Sequence, residues 1–278
     1  MAANLRLMWG RAGAGKTRRC LDEILAELQA APVGPPLIMI VPEQATFEVE
    51  RALAAASPGG GFIRAYVLGF RRLAYRVLTE TGGAGRPRLS ELGKRLALRR
   101  LLLRQQDQLS LLKRAAGERH FADTLAGLIN EFKAYGIRPE DLEAAVSALG
   151  AGQEAGLGGK VKDLALLYRE YELFLQDRYL DPEDYLQLLA EKVPQAALTA
   201  GARIWVDGFT WFTPQEYRGL EALLHTAAEV TVTLCLDEPD NGVHSRPEAL
   251  FHRQWLTRKK LQQLAQRLAA ELREEGLA

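Results

Sequence analysis

Gly10-Arg11-Ala12-Gly13-Ala14-Gly15-Lys16-Thr17 constrains this chain more than any other stretch. A short apolar run, Leu5 to Trp9, precedes it, and Cys20, Leu21, Ile24, Leu25 and Leu28 follow at the i, i+3, i+4, i+7 spacing of a helix. Strand, G-x-x-x-x-G-K-[ST] loop and helix in that order make a phosphate-binding loop. Glycines let the backbone turn tightly with its N–H groups pointing inward, Lys16 would reach the β- and γ-phosphates of ATP, and the Thr17 hydroxyl would sit on Mg2+ at a helix N-terminus. Gly10, Arg11, Ala12, Gly13, Ala14, Gly15, Lys16 and Thr17 are therefore the expected nucleotide-binding residues.

The flanking pattern predicts the fold class. Leu37-Ile38-Met39-Ile40-Val41, between Pro36 and Pro42, is a continuous apolar run that suits a strand buried on both faces of a parallel sheet. A helix over 45–56, a strand over 62–68 and a helix over 70–79 continue the alternation, and 203–208, 213–225 and 230–236 resume it as strand, helix and strand. Between them, residues 90–192 have helical period throughout, with helices expected over 92–114, 120–135, 141–149, 159–178 and 182–192 and a glycine-rich loop over 151–159. The expected architecture is α/β, a doubly wound parallel sheet with a large all-helical insertion. Residues 1–80 and 200–240 would form one discontinuous lobe and 88–197 the insertion. A last helix, about 247–275, carries the stripe Leu250, Phe251, Trp255, Leu256, Leu261, Leu264 and Leu268. Nothing in the remaining sequence covers that stripe, so segment 245–278 is expected to begin the next part of a larger protein.

Composition narrows the function classes. With 278 residues, 47% hydrophobic and 26% charged, and a formal net charge of +1, the chain is not a polycation, so a nucleic-acid partner would need a local basic face. Between Arg86 and Arg119 ten Lys/Arg stand against three acids. A helix carrying Arg95, Arg99 and Arg100 suits a phosphate backbone and equally suits a solvated helix face. Tyr66, Phe70, Tyr75, Trp211 and Phe212 lie near basic residues and could stack on unpaired bases or fill the core. Cys20 and Cys235, the only cysteines, fall inside apolar patterns and read as reduced core residues. The four histidines show no metal-ligand spacing. The sequence contains neither a signal-peptide core nor an apolar run long enough for a membrane span, and a cytoplasmic location without membrane contact is expected.

In phosphate-loop proteins a second strand delivers an aspartate to the Mg2+ opposite the loop hydroxyl, and Asp207, after Ile204-Trp205-Val206, is the candidate. Thr17 and Asp207 are thus the expected metal ligands. Hydrolysis also needs a group to orient or deprotonate water, often the carboxylate next in sequence, and here that residue is Gly208. A missing general base costs on the order of 10² to 10⁴ in rate. Glu43 or Glu216 could substitute, although Thr213-Pro214-Gln215-Glu216 already explains Glu216 as a capping box. No catalytic residue is assigned, and nucleotide binding is better supported than turnover. An active ATP-driven translocase drawing its acid from elsewhere is the alternative. A small-molecule kinase is more remote, because no lid arginines are identifiable.

These stretches together resemble the N-terminal region of the AddB subunits of AddAB ATP-dependent helicase–nucleases, themselves similar to superfamily 1 helicases. The resemblance runs through Gly10–Thr17, Val41-Pro42-Glu43-Gln44-Ala45-Thr46-Phe47, Phe70-Arg71-Arg72-Leu73-Ala74, Leu128-Ile129-Asn130-Glu131-Phe132-Lys133, and Val206–Thr210 with Phe212–Glu216. It implies a P-loop NTPase (RecA-like) lobe in a subunit that pairs with an AddA-like helicase, processes double-strand DNA ends and single strand, and supports recombinational repair. Arg71 joins Arg95, Arg99 and Arg100 as a candidate DNA contact. Gly208 fits a degenerate motor, since an active one would carry glutamate there. The family's nuclease and iron–sulfur cluster lie toward its C-terminus, and no cysteine set for a cluster exists in these residues.

Overall fold

The computed structural model describes residues 4–57, 61–83, 85–118, 120–148, 154–176, 178–237 and 243–277. In chain order the elements are β1 (Asn4–Gly10), α1 (Lys16–Ala30), β2 (Leu37–Ile40), α2 (Thr46–Ala56), β3 (Ala65–Leu68) and α3 (Phe70–Thr81). Then come α4 (Glu91–Gln105), α5 (Lys113–Ala116), α6 (Phe121–Tyr135), α7 (Pro139–Ala148) and α8 (Gly159–Leu175). The chain continues through α9 (Tyr185–Lys192), β4 (Arg203–Val206), α10 (Pro214–Thr226), β5 (Glu229–Cys235), α11 (His252–Arg267) and β6 (Glu271–Gly276). Two compact units result, one of Met1–Gly82 with Leu186–Ala278 and one of Gly83–Tyr185. Among the described residues no helix is long and apolar enough to cross a membrane.

The first unit is α/β. Its six strands lie in the order β3-β2-β4-β5-β1-β6, and every neighbouring pair is parallel. All four β2 residues are buried, as are the last three of β4, which is why both read as unbroken apolar runs. Leu25, Leu28, Met39, Leu53, Val67 and Trp205 share one core cluster with Cys20 and Ile24 of α1, so the predicted helical stripe is the face that packs on the sheet. Because β5 alone separates β4 from β1, the carboxyl ends of those two strands lie about 10 Å apart.

The sheet corrects one expectation. The helix anticipated over 247–275 ends at Arg267, where the N–H of Leu268 bonds to Leu264 O, that of Ala270 to Ala265 O, and Ala269 turns to φ 49°. Residues 271–276 instead pair in register with Asn4–Trp9. Glu-Leu-Arg-Glu-Glu favours helix locally. The otherwise unpaired N–H and C=O groups along β1 override that preference, as tertiary pairing commonly does.

The second unit is helical, around a core that includes Leu98, Leu102, Leu125, Ile129, Leu167 and Tyr171. The single helix expected over 92–114 is broken at Gln105. Ser110, Leu111 and Leu112 donate their backbone N–H groups to the carboxylate of Asp163 in α8, at 2.8–3.1 Å, and this turn separates α4 from α5. Burial works against ionisation of Asp163, but those N–H groups outweigh it and hold its pKa below the usual carboxylate range. Of the glycine-rich loop expected over 151–159, Glu154–Gly158 forms a π-helical turn leading into α8, and 151–153 lie outside the described residues.

At the centre of this unit lies a buried ionic cluster. Lys94, counted above in the basic surplus, is not on the surface: its side chain is 2% exposed and Nζ donates to Asp181 Oδ2 at 2.8 Å and Asn130 Oδ1 at 2.5 Å. Lys133, one turn beyond Asn130, contacts Asp184 at 2.6 Å, Glu172 at 2.8 Å and Asp181 at 3.5 Å, while Tyr171 donates its hydroxyl to Asp181 at 2.8 Å. Burial opposes the charge on Asp181, but Lys133 and Lys94 more than offset it and lower its pKa. Burial pushes Asp184 up to about 6 despite Lys133. Removing one member of such a cluster leaves a buried charge uncompensated, which costs about 3–5 kcal/mol. Lys94→Met is accordingly expected to lower the opening free energy of residues 83–185 by that amount in hydrogen exchange, with the α/β unit little changed; a loss below about 1 kcal/mol would contradict a structural role for the cluster.

Candidate nucleotide-binding site

The buried side chains of Leu5, Leu7 and Met8 anchor β1, which delivers Gly10 to the carboxyl edge of the sheet. From there the loop turns through Gly13 at φ 86° and Gly15 at φ 81°, left-handed conformations that a residue with a Cβ adopts only under strain. Gly15 caps α1, whose own first turn contains no acid, so its N–H groups and dipole face the loop. Lys16 folds back over the loop, Nζ donating to Gly10 O and Arg11 O, both at 2.7 Å. Arg11 forms an exposed ion pair with Asp237, just past the end of β5, at 2.5 Å. Ala12 and Ala14 complete the turn, with the Ala14 N–H bonding to Arg11 O at 3.2 Å.

Across β5, Asp207 follows β4 and is buried. The Thr17 hydroxyl donates to its Oδ2 at 2.6 Å, and Thr233, on the intervening strand, donates to its Oδ1. The backbone N–H of Asp207 bonds to Ile40 O at 2.9 Å, which extends the β4–β2 ladder and fixes where the carboxylate emerges. Sequence elements 190 residues apart thus converge on one carboxylate.

The next residue matters as much. Gly208 is at φ +81°, and a Cβ built there would lie 3.3 Å from Pro42 Cδ. Of the two glutamates considered as substitutes, Glu216 is held in a cap and Glu43 is exposed, one residue beyond the Pro42 that lies against Gly208. Glu216 caps α10, accepting from the Thr213 N–H at 2.7 Å while its own N–H bonds to Thr213 Oγ1 at 3.2 Å, and burial raises its pKa against that N–H and the nearby charge of Arg71. The Glu43 carboxylate packs against the backbone of Gly69, ahead of α3.

The candidate DNA residues fare unequally. Arg71 is exposed on the first turn of α3. In the helical unit, Arg95 pairs with Asp123 at 3.2 Å, Arg99 donates to the carbonyls of Ala116, Gly117 and Glu118, and Arg100 is exposed. Of the aromatics, Phe70 and Phe212 are buried and join Phe209 and Tyr217 in an edge-to-face cluster, so neither can stack on a base. Arg76 sits over the Tyr66 ring at 4.8 Å. Trp211 is 44% exposed. Sequence reasoning missed Phe47, which is 70% exposed with Arg51 over its ring at 5.9 Å. The signal was present: Thr46, Val49 and Leu53 form the inward stripe of α2, and Phe47 lies off it.

The family model described as ADDB, N-terminal, matches residues 7–278. The chain belongs to this family. It is 50% identical over 269 residues to the B subunit of the ATP-dependent helicase/deoxyribonuclease of Desulforudis audaxviator, covering 96% of this chain and 23% of that protein. It is 54% identical over 235 residues to the corresponding protein of Pelotomaculum thermopropionicum, covering 84% and 20%, and 49% identical over 273 residues to that of Moorella thermoacetica, covering 98% and 24%. The chain therefore spans about a quarter, or less, of the length of these relatives.

A side chain at residue 208 would have to hold a left-handed conformation, at about 1–2 kcal/mol, against Pro42. Gly208→Glu is therefore expected to lower Tm by roughly 3–6 °C in calorimetry and to leave phosphate release from ATP at background. A stable, hydrolysing Gly208→Glu variant would show that the backbone accepts the carboxylate after all.

Proposed function

We propose that this chain is the nucleotide-binding, DNA-contacting N-terminal part of an AddB-type helicase/deoxyribonuclease subunit, and that it binds ATP with Mg2+ without turning it over. The reading takes the α/β unit as a P-loop NTPase (RecA-like) lobe. One observation carries it: the Thr17 hydroxyl and the Asp207 carboxylate meet beside a glycine loop, at the start of a helix with no acid in its first turn. A hydroxyl and a carboxylate are the hard oxygen donors that Mg2+ takes in nucleotide sites. The residues thus fit the ion, which when bound would neutralise phosphate charge. Lys16 would exchange its two carbonyl partners for phosphate oxygens, and the loop N–H groups would orient the chain of phosphates. With Gly208 after Asp207 and Glu216 committed to capping α10, no carboxylate is assigned to activate water.

The DNA part of the reading rests on the carboxyl edge of the sheet, where ligands of open α/β folds bind. Phe47 follows β2, Arg71 follows β3 and Trp211 follows β4, three strands adjacent in the order β3-β2-β4. An exposed ring with an arginine over it, Phe47 with Arg51, and the half-exposed Trp211 suit unpaired bases and their phosphates, so single strand at a processed DNA end is the ligand this edge favours. An AddA-like subunit would supply the active motor, and the recombination-supporting nuclease would lie in the remainder of such a protein.

Saturating Mg2+-ATP at about a hundred times its Kd is expected to stabilise the chain by ~2.7 kcal/mol, and Lys16→Ala is expected to abolish that shift. Phe47→Ala is expected to weaken binding of a dT20 oligonucleotide by about 1–3 kcal/mol in fluorescence anisotropy, with affinity falling as salt rises. Robust DNA-stimulated ATPase abolished by Lys16→Ala would overturn the binding-only reading in favour of an active translocase.

A further inference from the structure

Helix α4 is apolar on two sides. Ala97, Leu98, Leu101 and Leu102 are buried in the helical core, whereas Leu92, Leu96 and Leu103 are 66%, 62% and 54% exposed. A helix that is apolar all round is normally covered all round. The exposed leucines share a row with Arg99, and the spacing 92, 96, 99, 103 is the 4-3-4 seam of a two-helix coiled coil. Arg95 and Arg100 then occupy the positions that flank such a seam, where charge selects the partner. Asp123 meets Arg95, Glu91 stands at the start of the helix and Arg99 donates to the carbonyls of 116–118, so the exposed Arg100 and Arg104 are what leave the face cationic.

We propose that the Leu92–Leu96–Leu103 ridge is a docking surface for a leucine-bearing amphipathic helix with glutamates or aspartates along its flanks, carried by a separate polypeptide. Charge complementarity argues for that occupant. A second copy of this chain would set arginine against arginine across the seam. A nucleic-acid backbone would neutralise the arginines but leave three leucines facing phosphate. Assigning the helix to a separate polypeptide rests on the reading above that the chain is part of a multi-subunit enzyme, whereas the ridge itself does not depend on nucleotide or DNA binding.

Two synthetic 22-residue helices with leucine at every seam position test the chemistry, one with glutamate and one with lysine at the flanks. Titrated onto this chain in fluorescence anisotropy, the glutamate peptide is expected to bind at least tenfold more tightly than the lysine peptide. Leu96→Glu, at an exposed site, is expected to weaken it at least tenfold while circular dichroism and the ATP-dependent Tm shift stay as in the parent chain. Equal binding of both peptides, or unchanged binding to Leu96→Glu, would overturn the proposal. So would a concentration-dependent dimer in ultracentrifugation that Leu96→Glu dissolves, or DNA affinity that Arg100→Glu lowers and Leu96→Glu also lowers. For the source, a photo-crosslinking amino acid at position 96 of the whole subunit in its assembled complex is expected to join it to a second polypeptide, and a crosslink confined to its own chain would refute the assignment.

Discussion

The Asp207 carboxylate is the meeting point of the α/β unit. It accepts one hydroxyl from the helix that follows the glycine loop and another from the strand between, so β4, β5 and the β1–α1 junction are tied together at the edge where parallel sheets bind ligands. This depends on the strand order. With β5 between β4 and β1, a side chain leaving the end of β4 reaches a hydroxyl at the start of α1 over about 10 Å of sheet. The backbone bond from Asp207 to Ile40 holds the carboxylate in the ladder up to its last residue, and the chain then turns away through Gly208. The same turn that follows the aspartate makes a side chain at the next position costly, by about 1–2 kcal/mol.

The helical unit is organised differently. Beside its aliphatic cluster, two buried lysines, the buried Asp181 and a phenol meet an amide and two carboxylates, Glu172 and Asp184, that reach partly into solvent. Burying charges in this way gives little net stability over apolar residues of the same volume, but a missing partner is severely destabilising. The partners come from α4, α6, α8 and the turn before α9, so the cluster fixes how those segments register against one another. It also removes Lys94 and Lys133 from any surface role. What remains outward on α4 is a row of leucines among arginines, which matches a protein helix better than a phosphate backbone.

Sequence reading located the strands, the loop and the capping box because each is a local pattern. β2 is a bare apolar run since both its faces are covered, and Thr213-Pro214-Gln215-Glu216 writes its own hydrogen bonds. Where it failed, the cause was a distant partner. Asp163 breaks the 92–114 helix from across 51–53 residues, and the open side of β1 recruits 271–276 into the sheet against their helical propensity. Arginine and aromatic counts left two readings open for the same reason, and distant contacts decide between them: Lys94 is interior, Arg99 caps carbonyls, and Phe70 and Phe212 are core, while Phe47 stands in solvent. Asn130 and Lys133, three apart on α6, were visible only as a resemblance until the cluster gave them a role.

The most direct measurement is the chemical state of the nucleotide held at the site. The chain would be incubated with radiolabelled ATP, Mg2+ and single-stranded DNA, recovered by rapid filtration, and the retained label separated by chromatography. Near-stoichiometric label is expected as ATP, and none with Lys16→Ala. Recovery as ADP, at a level that grows with incubation and depends on Lys16, would contradict it.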